Sequence, residues 1–352
     1  MSVGPGPRLD EDAGGVASAA GCPACGSAVF GDERFCESCG APLRTSGPDA
    51  ARPGTEDLAR LELVHPGVAA VSDRGRRRAR NEDAVTVAAG PGGPDTAVAV
   101  VCDGVGSTVD AHLAARAASS AAVAVLESAV AAGPVDDDVL SAACGDACRA
   151  AREAVAALPF DLHDHRGLPP STTLVAAVVV PGRVLVASVG DSRAYWLPDG
   201  AAPRALTVDD SLAEEQIAEG VDPDVARSGP DAHAITRWIG ADAESVEPTL
   251  TRLEVDGPGR LLVCTDGLWN YFPSPDDLAG LAAGAPDPTP LGVARTLVAG
   301  ALAGGGADNI TVAVLDARPA TGPGVAPPDG CEAGDVPDVP DAPDGPTGEG
   351  RR

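Results

Sequence analysis

Apolar positions along this chain fall into two rhythms. Short unbroken apolar runs bounded by Gly, Pro, Asp or Ser predict strands over residues 67–72, 84–88, 97–102, 172–180, 183–189, 194–197, 261–264 and 310–315. Pro181-Gly182 marks a hairpin turn between two of them. Longer Ala-rich stretches predict helices over 110–132, 136–158, 212–219, 275–283 and 291–303. Asp136, Asp137 and Asp138 suit the first turn of the second helix, where carboxylates meet the positive end of the dipole. The strands cluster, with helix pairs between the clusters. This pattern predicts an α+β fold whose mostly antiparallel sheets are covered by helices, and not a doubly wound parallel sheet.

The patterning is sustained only over residues 65–316, the expected main domain. Residues 44–64, with Ser, Gly, Pro, Asp and Arg, read as a linker. Residues 1–20 are small and polar, and 317–352 turn to repeats such as Val336-Pro337-Asp338-Val339-Pro340-Asp341. Both ends are expected to be disordered, because they hold too little apolar surface to order themselves.

Composition narrows the function. All 25 basic residues are arginine, so a phosphate loop, a protein kinase and a Schiff-base enzyme, each of which needs a lysine, are excluded. The 52 acidic residues bring the net charge to -27. That charge repels polyanions, so neither nucleic acid nor an anionic membrane is an expected partner. No apolar run reaches the roughly 20 clean residues of a spanning helix, and no secretory signal is evident at the N-terminus. A cytoplasmic location is therefore expected, where the nine cysteines are thiols or metal ligands.

Four of those cysteines lie in residues 21–43. Cys22-Pro-Ala-Cys25 and Cys36-Glu-Ser-Cys39 are separated by ten residues, and each pair is followed by Gly. Two such knuckles place four thiolates around one structural Zn²⁺, whose binding contributes about 10–16 kcal/mol of folding free energy in small zinc modules. Redox dithiols are the alternative use of the same pairs. Asp32, Glu33, Arg34 and Glu37 leave this zinc ribbon without the basic face of a nucleic-acid reader, which suits a structural or protein-docking role.

Acidic residues recur at strand ends beside Gly or Asn. They occur in Asn81-Glu82-Asp83, Cys102-Asp103-Gly104-Val105, Gly190-Asp191-Ser192, Thr265-Asp266-Gly267 and Ala307-Asp308-Asn309. One Asp-Gly is usually only a turn, but five such segments abutting apolar strands point to a shared carboxylate site. These motifs, in this order over residues 68–315, resemble the metal-dependent Ser/Thr protein phosphatases of the type 2C class, bacterial type. The resemblance implies two packed antiparallel sheets flanked by helices. It implies that Asp103, Asp266 and Asp308 hold one Mn²⁺ or Mg²⁺, and that Glu82, Asp103 and the Gly104 carbonyl hold a second. It further implies that Asp83 orients water, that Arg78 binds phosphate, and that Asp191 serves a third, weaker metal. Phosphorylated proteins, the targets of a Ser/Thr kinase, are then the partners.

The chemistry of the side chains agrees with that resemblance. Oxygen-only ligands suit Mg²⁺ or Mn²⁺, and two such ions about 3.5–4 Å apart can hold a bridging hydroxide in line with a phosphoester bond. Arg78 presents a planar fork to phosphoryl oxygens, although Arg74, Arg76, Arg77 and Arg80 beside it read equally as a solvated face. No cysteine is followed six residues later by arginine, so a thiol-based phosphatase is unsupported. Three positions depart from the family pattern. Val105 stands where some members carry a His, Asp210 where His is common, and Asn270 where a third-metal Asp is common. His163 and His165, near Asp161 and Asp164, read as a solvated loop. The competing reading is a catalytically weak, phosphatase-like module that docks partners through its zinc ribbon, against which Glu82, Asp103, Asp266 and Asp308 all argue.

Overall fold

The structure, a computed structural model, describes residues 20–21, 28–29 and 59–320, apart from 94, 134–135 and 161–166. A two-residue ribbon pairs β1 (Ala20–Gly21) with β2 (Ala28–Val29). There follow β3 (Arg60–His65), β4 (Val68–Asp73), β5 (Ala84–Ala89), β6 (Ala97–Cys102), α1 (Ala111–Ala131) and α2 (Asp137–Ala156). The middle of the chain forms β7 (Ser171–Thr172), β8 (Leu174–Val180), β9 (Arg183–Val189), β10 (Arg193–Pro198), β11 (Arg204–Ala205), α3 (Leu212–Ala218) and α4 (Pro223–Arg227). The last part comprises β12 (Ile239–Gly240), β13 (Thr249–Glu254), β14 (Gly259–Cys264), α5 (Asp266–Trp269), α6 (Pro275–Ala283), α7 (Pro290–Gly304) and β15 (Ile310–Ala317).

Two antiparallel sheets carry the core. One has the order β11-β10-β14-β15-β4-β3 and the other β13-β9-β8-β6-β5. Alternation along each strand sends side chains to two different layers. In β6, Ala97, Ala99 and Val101 face the other sheet, while Val98, Val100 and Cys102 pack with α1 and α2. In β15, Ala313 and Leu315 join the inter-sheet layer, while Ile310, Val312 and Val314 pack with α7. Helices thus cover the outer face of both sheets. This is why the central strands read as continuous apolar runs even though they are antiparallel.

Expected elements and observed ones agree at the centre of the sheets. The 97–102 and 183–189 runs form β6 and β9, and Asp136 caps α2 by accepting from Val139 N at 2.9 Å. The expected 172–180 strand is instead two, β7 and β8, interrupted at Thr173. The expected 44–64 linker needs correction at its end, because Arg60–His65 pairs along all of β4 as an edge strand. α1 is long and apolar enough to cross a bilayer by length and composition alone. Its Ala114, Ala118, Ala122, Leu126 and Val130 are packed in the core, which is the reason for that composition. Cys22, Cys25, Cys36, Cys39, His163 and His165 lie outside the described residues.

Candidate active site

Antiparallel register gathers the acidic segments at one end of the sheets. Ala84 pairs with Cys102, Leu174 with Val189, Ile310 with Asp73 and Arg193 with Cys264. The start of β5, the ends of β6, β9 and β14, and the start of β15 therefore face the same way. There Arg78, Glu82, Asp103, Gly104, Asp191, Asp266 and Asp308 line a single cleft of about 450 Å³. Asp83 is buried, 5% exposed, and is absent from the cleft lining.

Backbone hydrogen bonds fix these segments to one another. Asp103 donates its N–H to Thr173 Oγ1 at 3.0 Å, and its carbonyl accepts from Thr172 Oγ1 at 2.7 Å and Thr173 N at 2.8 Å. Gly104 N donates to the Glu82 carbonyl at 3.2 Å. Asn309, whose role the sequence did not disclose, bonds three residues of the connection between β4 and β5 at once. Its Oδ1 accepts from Glu82 N at 2.8 Å, and its Nδ2 donates to the carbonyls of Arg74 at 2.8 Å and Arg80 at 2.9 Å. Gly267 is required because a Cβ there would stand 1.8 Å from the Asn309 carbonyl oxygen. That close approach brings Asp266, at the start of α5, beside Asp308 and Asn309.

So many carboxylates cannot all ionise cheaply together. Burial first, and then the charges of Asp83, Asp266 and Asp308, raise Asp103 well above the ordinary carboxylate range. Burial, and then Asp308 and Asp191, do the same to Asp266. Burial pushes Asp83 up to about 7, opposed by hydrogen bonds from Thr311 and Thr265, and pushes Asp191 up to about 7, reinforced by Asp209. Asp83 Oδ2 accepts from Thr265 Oγ1 at 2.9 Å. Arg78 supplies compensating charge, donating to Asp308 Oδ2 at 2.6 Å.

The residues fit a pair of hard divalent cations. The donors are all oxygens, and buried Asp266 Oδ1, on a side chain that lines the cleft, has no hydrogen-bond partner among the described residues. Leaving such an atom unpaired is costly unless something absent from the protein itself satisfies it. Among the described residues no three His, Cys, Asp or Glu side chains close on a common point.

The three departures have structural consequences. Asn270 donates from Nδ2 to Asp266 Oδ2 at 3.1 Å, so here it restrains a proposed metal ligand. Asp210 accepts from Gly190 N at 2.9 Å and pairs with Arg237 at 3.1 Å, which ties the end of β9 to the segment before β12. Val105 lines the cleft. Sequence reasoning also missed the support for Asp191. Trp269 donates to the Asp191 carbonyl at 3.1 Å and lies 3.7 Å below Arg193, itself held by two bonds to Asp209 at 2.8 and 2.7 Å. An aromatic after an Asp-Gly was visible, but its partners are 78 and 76 residues away in sequence.

The chain sets helices on two antiparallel sheets in four layers, with an acidic cleft and one arginine, Arg78, at a common end. The family model described as protein phosphatase 2C matches residues 73–285, and the chain belongs to that family. The serine/threonine protein phosphatase PstP of Mycobacterium tuberculosis is 35% identical over 264 residues, 74% of this chain and 46% of the relative. A solved catalytic domain of a PstP, in complex with two manganese ions, is 33% identical, with a TM-score of 0.55 over 71% of this chain and 98% of that one. The serine/threonine phosphatase of S. agalactiae is 27% identical, with a TM-score of 0.59 over 71% of this chain and 98% of that one. The chain spans about half the length of the curated relatives it matches.

Proposed function

We propose that this chain hydrolyses phosphoserine and phosphothreonine on proteins with the help of two Mn²⁺ or Mg²⁺ ions. The observation that carries the reading is the meeting of Glu82, Asp103, Asp266, Asp308 and Arg78 in one cleft from separate segments of chain. Asp103, Asp266 and Asp308 would hold one ion, and Glu82, Asp103 and the Gly104 carbonyl the other. When bound, such ions supply Lewis-acid stabilisation of phosphoryl charge and activation of water.

The remaining work falls to the protein. Asn309 and Thr173 preset Glu82 and Asp103 through backbone bonds, so little is reorganised when charge develops in the cleft. Arg78 turns its guanidinium from Asp308 toward the phosphoryl oxygens and orients them by paired N–H bonds. Asp83, buried behind the cleft lining and held by Thr265, would orient water through its neighbours and not by touching substrate. Phosphate release from a phosphothreonine peptide by the full chain tests the reading: turnover in Mn²⁺ that EDTA abolishes supports it, and metal-independent turnover contradicts it.

The substrates we propose are targets of a Ser/Thr kinase in the cytoplasm. We also propose that Cys22, Cys25, Cys36 and Cys39 hold one structural Zn²⁺ and that Asp191 serves a weaker third catalytic-site metal. The cysteine spacing supports the zinc, and the pairing of Ala20 with Val29 and Gly21 with Ala28 brackets the first knuckle. Zinc content that survives Cys22→Ser with Cys25→Ser would refute that site.

A further inference from the structure

One wall of the cleft is not used by the hydrolytic machinery. It is lined by Leu168, Ile235 and Trp238 together with Asp231 and Asp242. Leu168 is 57% exposed, a large apolar side chain left in water at the edge of a polar site. Trp238 is held in place by its Nε1–H, which donates to Asp242 Oδ1 at 3.0 Å. Gly240 makes that contact feasible, since a Cβ there would stand 2.9 Å from Asp242 Oδ1 and 3.1 Å from Trp238 Cδ1.

This wall is attached to the catalytic frame. Gly240 pairs with Ser171 and Ile239 with Thr172, and Thr172 and Thr173 are the residues that hold the Asp103 carbonyl. Leu168 is tied in through its carbonyl, which accepts from Val109 N at 3.1 Å. The distance from the phosphate site to this wall is therefore set by short, hydrogen-bonded backbone.

We propose that the wall is a subsite for an arginine or lysine side chain of the substrate, close in sequence to the phosphorylated residue. The proposal rests on the phosphatase reading and names a feature of its substrates. An apolar wall alone would suit leucine; carboxylates beside an indole suit a side chain with an aliphatic stem and a cationic head. The stem covers Leu168 and Ile235, the cation lies against Trp238, and Asp231 and Asp242 accept its N–H groups. The net charge of -27 draws basic segments toward the protein in the same sense.

The test is kcat/KM of the full chain in Mn²⁺ on phosphothreonine peptides carrying Arg, Ala, Leu or Glu within three residues of the phosphothreonine, on either side. At its best position Arg should exceed Ala by about tenfold, the worth of one charge-assisted contact. Asp242→Asn leaves an oxygen for the Trp238 N–H but removes the charge, and should bring the Arg:Ala ratio close to unity. Trp238→Ala should lower the same ratio, with the Ala peptide in each variant correcting for any change at the phosphate site. Equal rates for Arg and Ala, or a preference for Leu over Arg, would overturn the subsite. An Arg preference undiminished in both variants would also overturn it, because the overall charge would then be its source. No turnover of any peptide would overturn the phosphatase reading itself.

Discussion

Replacing Asn309 with Ala should damage both stability and metal response, although no metal ligand is altered. The amide makes three hydrogen bonds to backbone groups of three separate residues, Arg74, Arg80 and Glu82. At about 1 kcal/mol net for each, the loss is about 3 kcal/mol. For a domain of this size, about 2–4 °C per kcal/mol, the melting temperature should fall by about 6–12 °C. Because Glu82 loses its backbone anchor, the Mn²⁺ concentration for half-maximal activity should rise several-fold. Asn309→Asp offers a sharper control: it keeps an acceptor for Glu82 N but turns an oxygen toward two carbonyls, so it should be no better than Ala. Calorimetric melts in EDTA and a Mn²⁺ activation curve measure both effects. A melting temperature for Asn309→Ala within about 1 °C of the wild type, with an unchanged activation curve, would refute the reasoning.

Three further expectations follow from individual contacts. Arg78→Ala should raise KM more than it lowers kcat, and more than Arg76→Ala does, because Arg78 lines the cleft and Arg76 is exposed; equal effects in steady-state kinetics would mean a diffuse field. Asn270→Asp replaces a donor to Asp266 Oδ2 with a second carboxylate, so the EDTA-treated variant should melt lower while Mn²⁺ activates it at lower concentration; an unchanged curve would leave Asn270 a purely structural restraint. Glu62 is held below its ordinary 4.5, first by hydrogen bonding from Arg295 and then by Arg60. Its stabilising effect is therefore full above that value and lost as pH falls through the lowered one. Glu62→Gln should give a small loss of melting temperature at pH 7 that disappears in acid, and a loss persisting unchanged in acid would contradict the pairing.

What the sequence revealed follows from where each strand sits. β6, β8 and β9 are buried on both faces, so their apolar runs were unmistakable. β3 and β13 lie at the sheet edges, where Arg60-Leu61-Glu62-Leu63-Val64-His65 and Thr249-Leu250-Thr251-Arg252-Leu253-Glu254 mix polar and apolar residues. A half-exposed edge strand carries a weaker apolar signal than a central one, and β3 was consequently read as linker. The acidic site was legible because a carboxylate beside glycine or asparagine at a strand end has few purely structural uses when it recurs five times. Asn309, Thr173 and Thr265 were not legible. They act by bonding backbone atoms or carboxylates on distant segments, and only the register of the folded sheets brings those partners near.

The most direct measurement of the central claim is phosphate release from a phosphothreonine peptide by Asp103→Ala in saturating Mn²⁺, run beside the wild type. Asp103 is the one side chain assigned to both ions, and Thr172 and Thr173 hold its backbone independently of its carboxylate. The variant should therefore stay folded and lose nearly all turnover, by at least about a thousandfold if both ions stabilise the transferring phosphoryl group. Turnover within a few-fold of the wild type, from a variant with an intact melting transition, would contradict the two-metal account of this cleft.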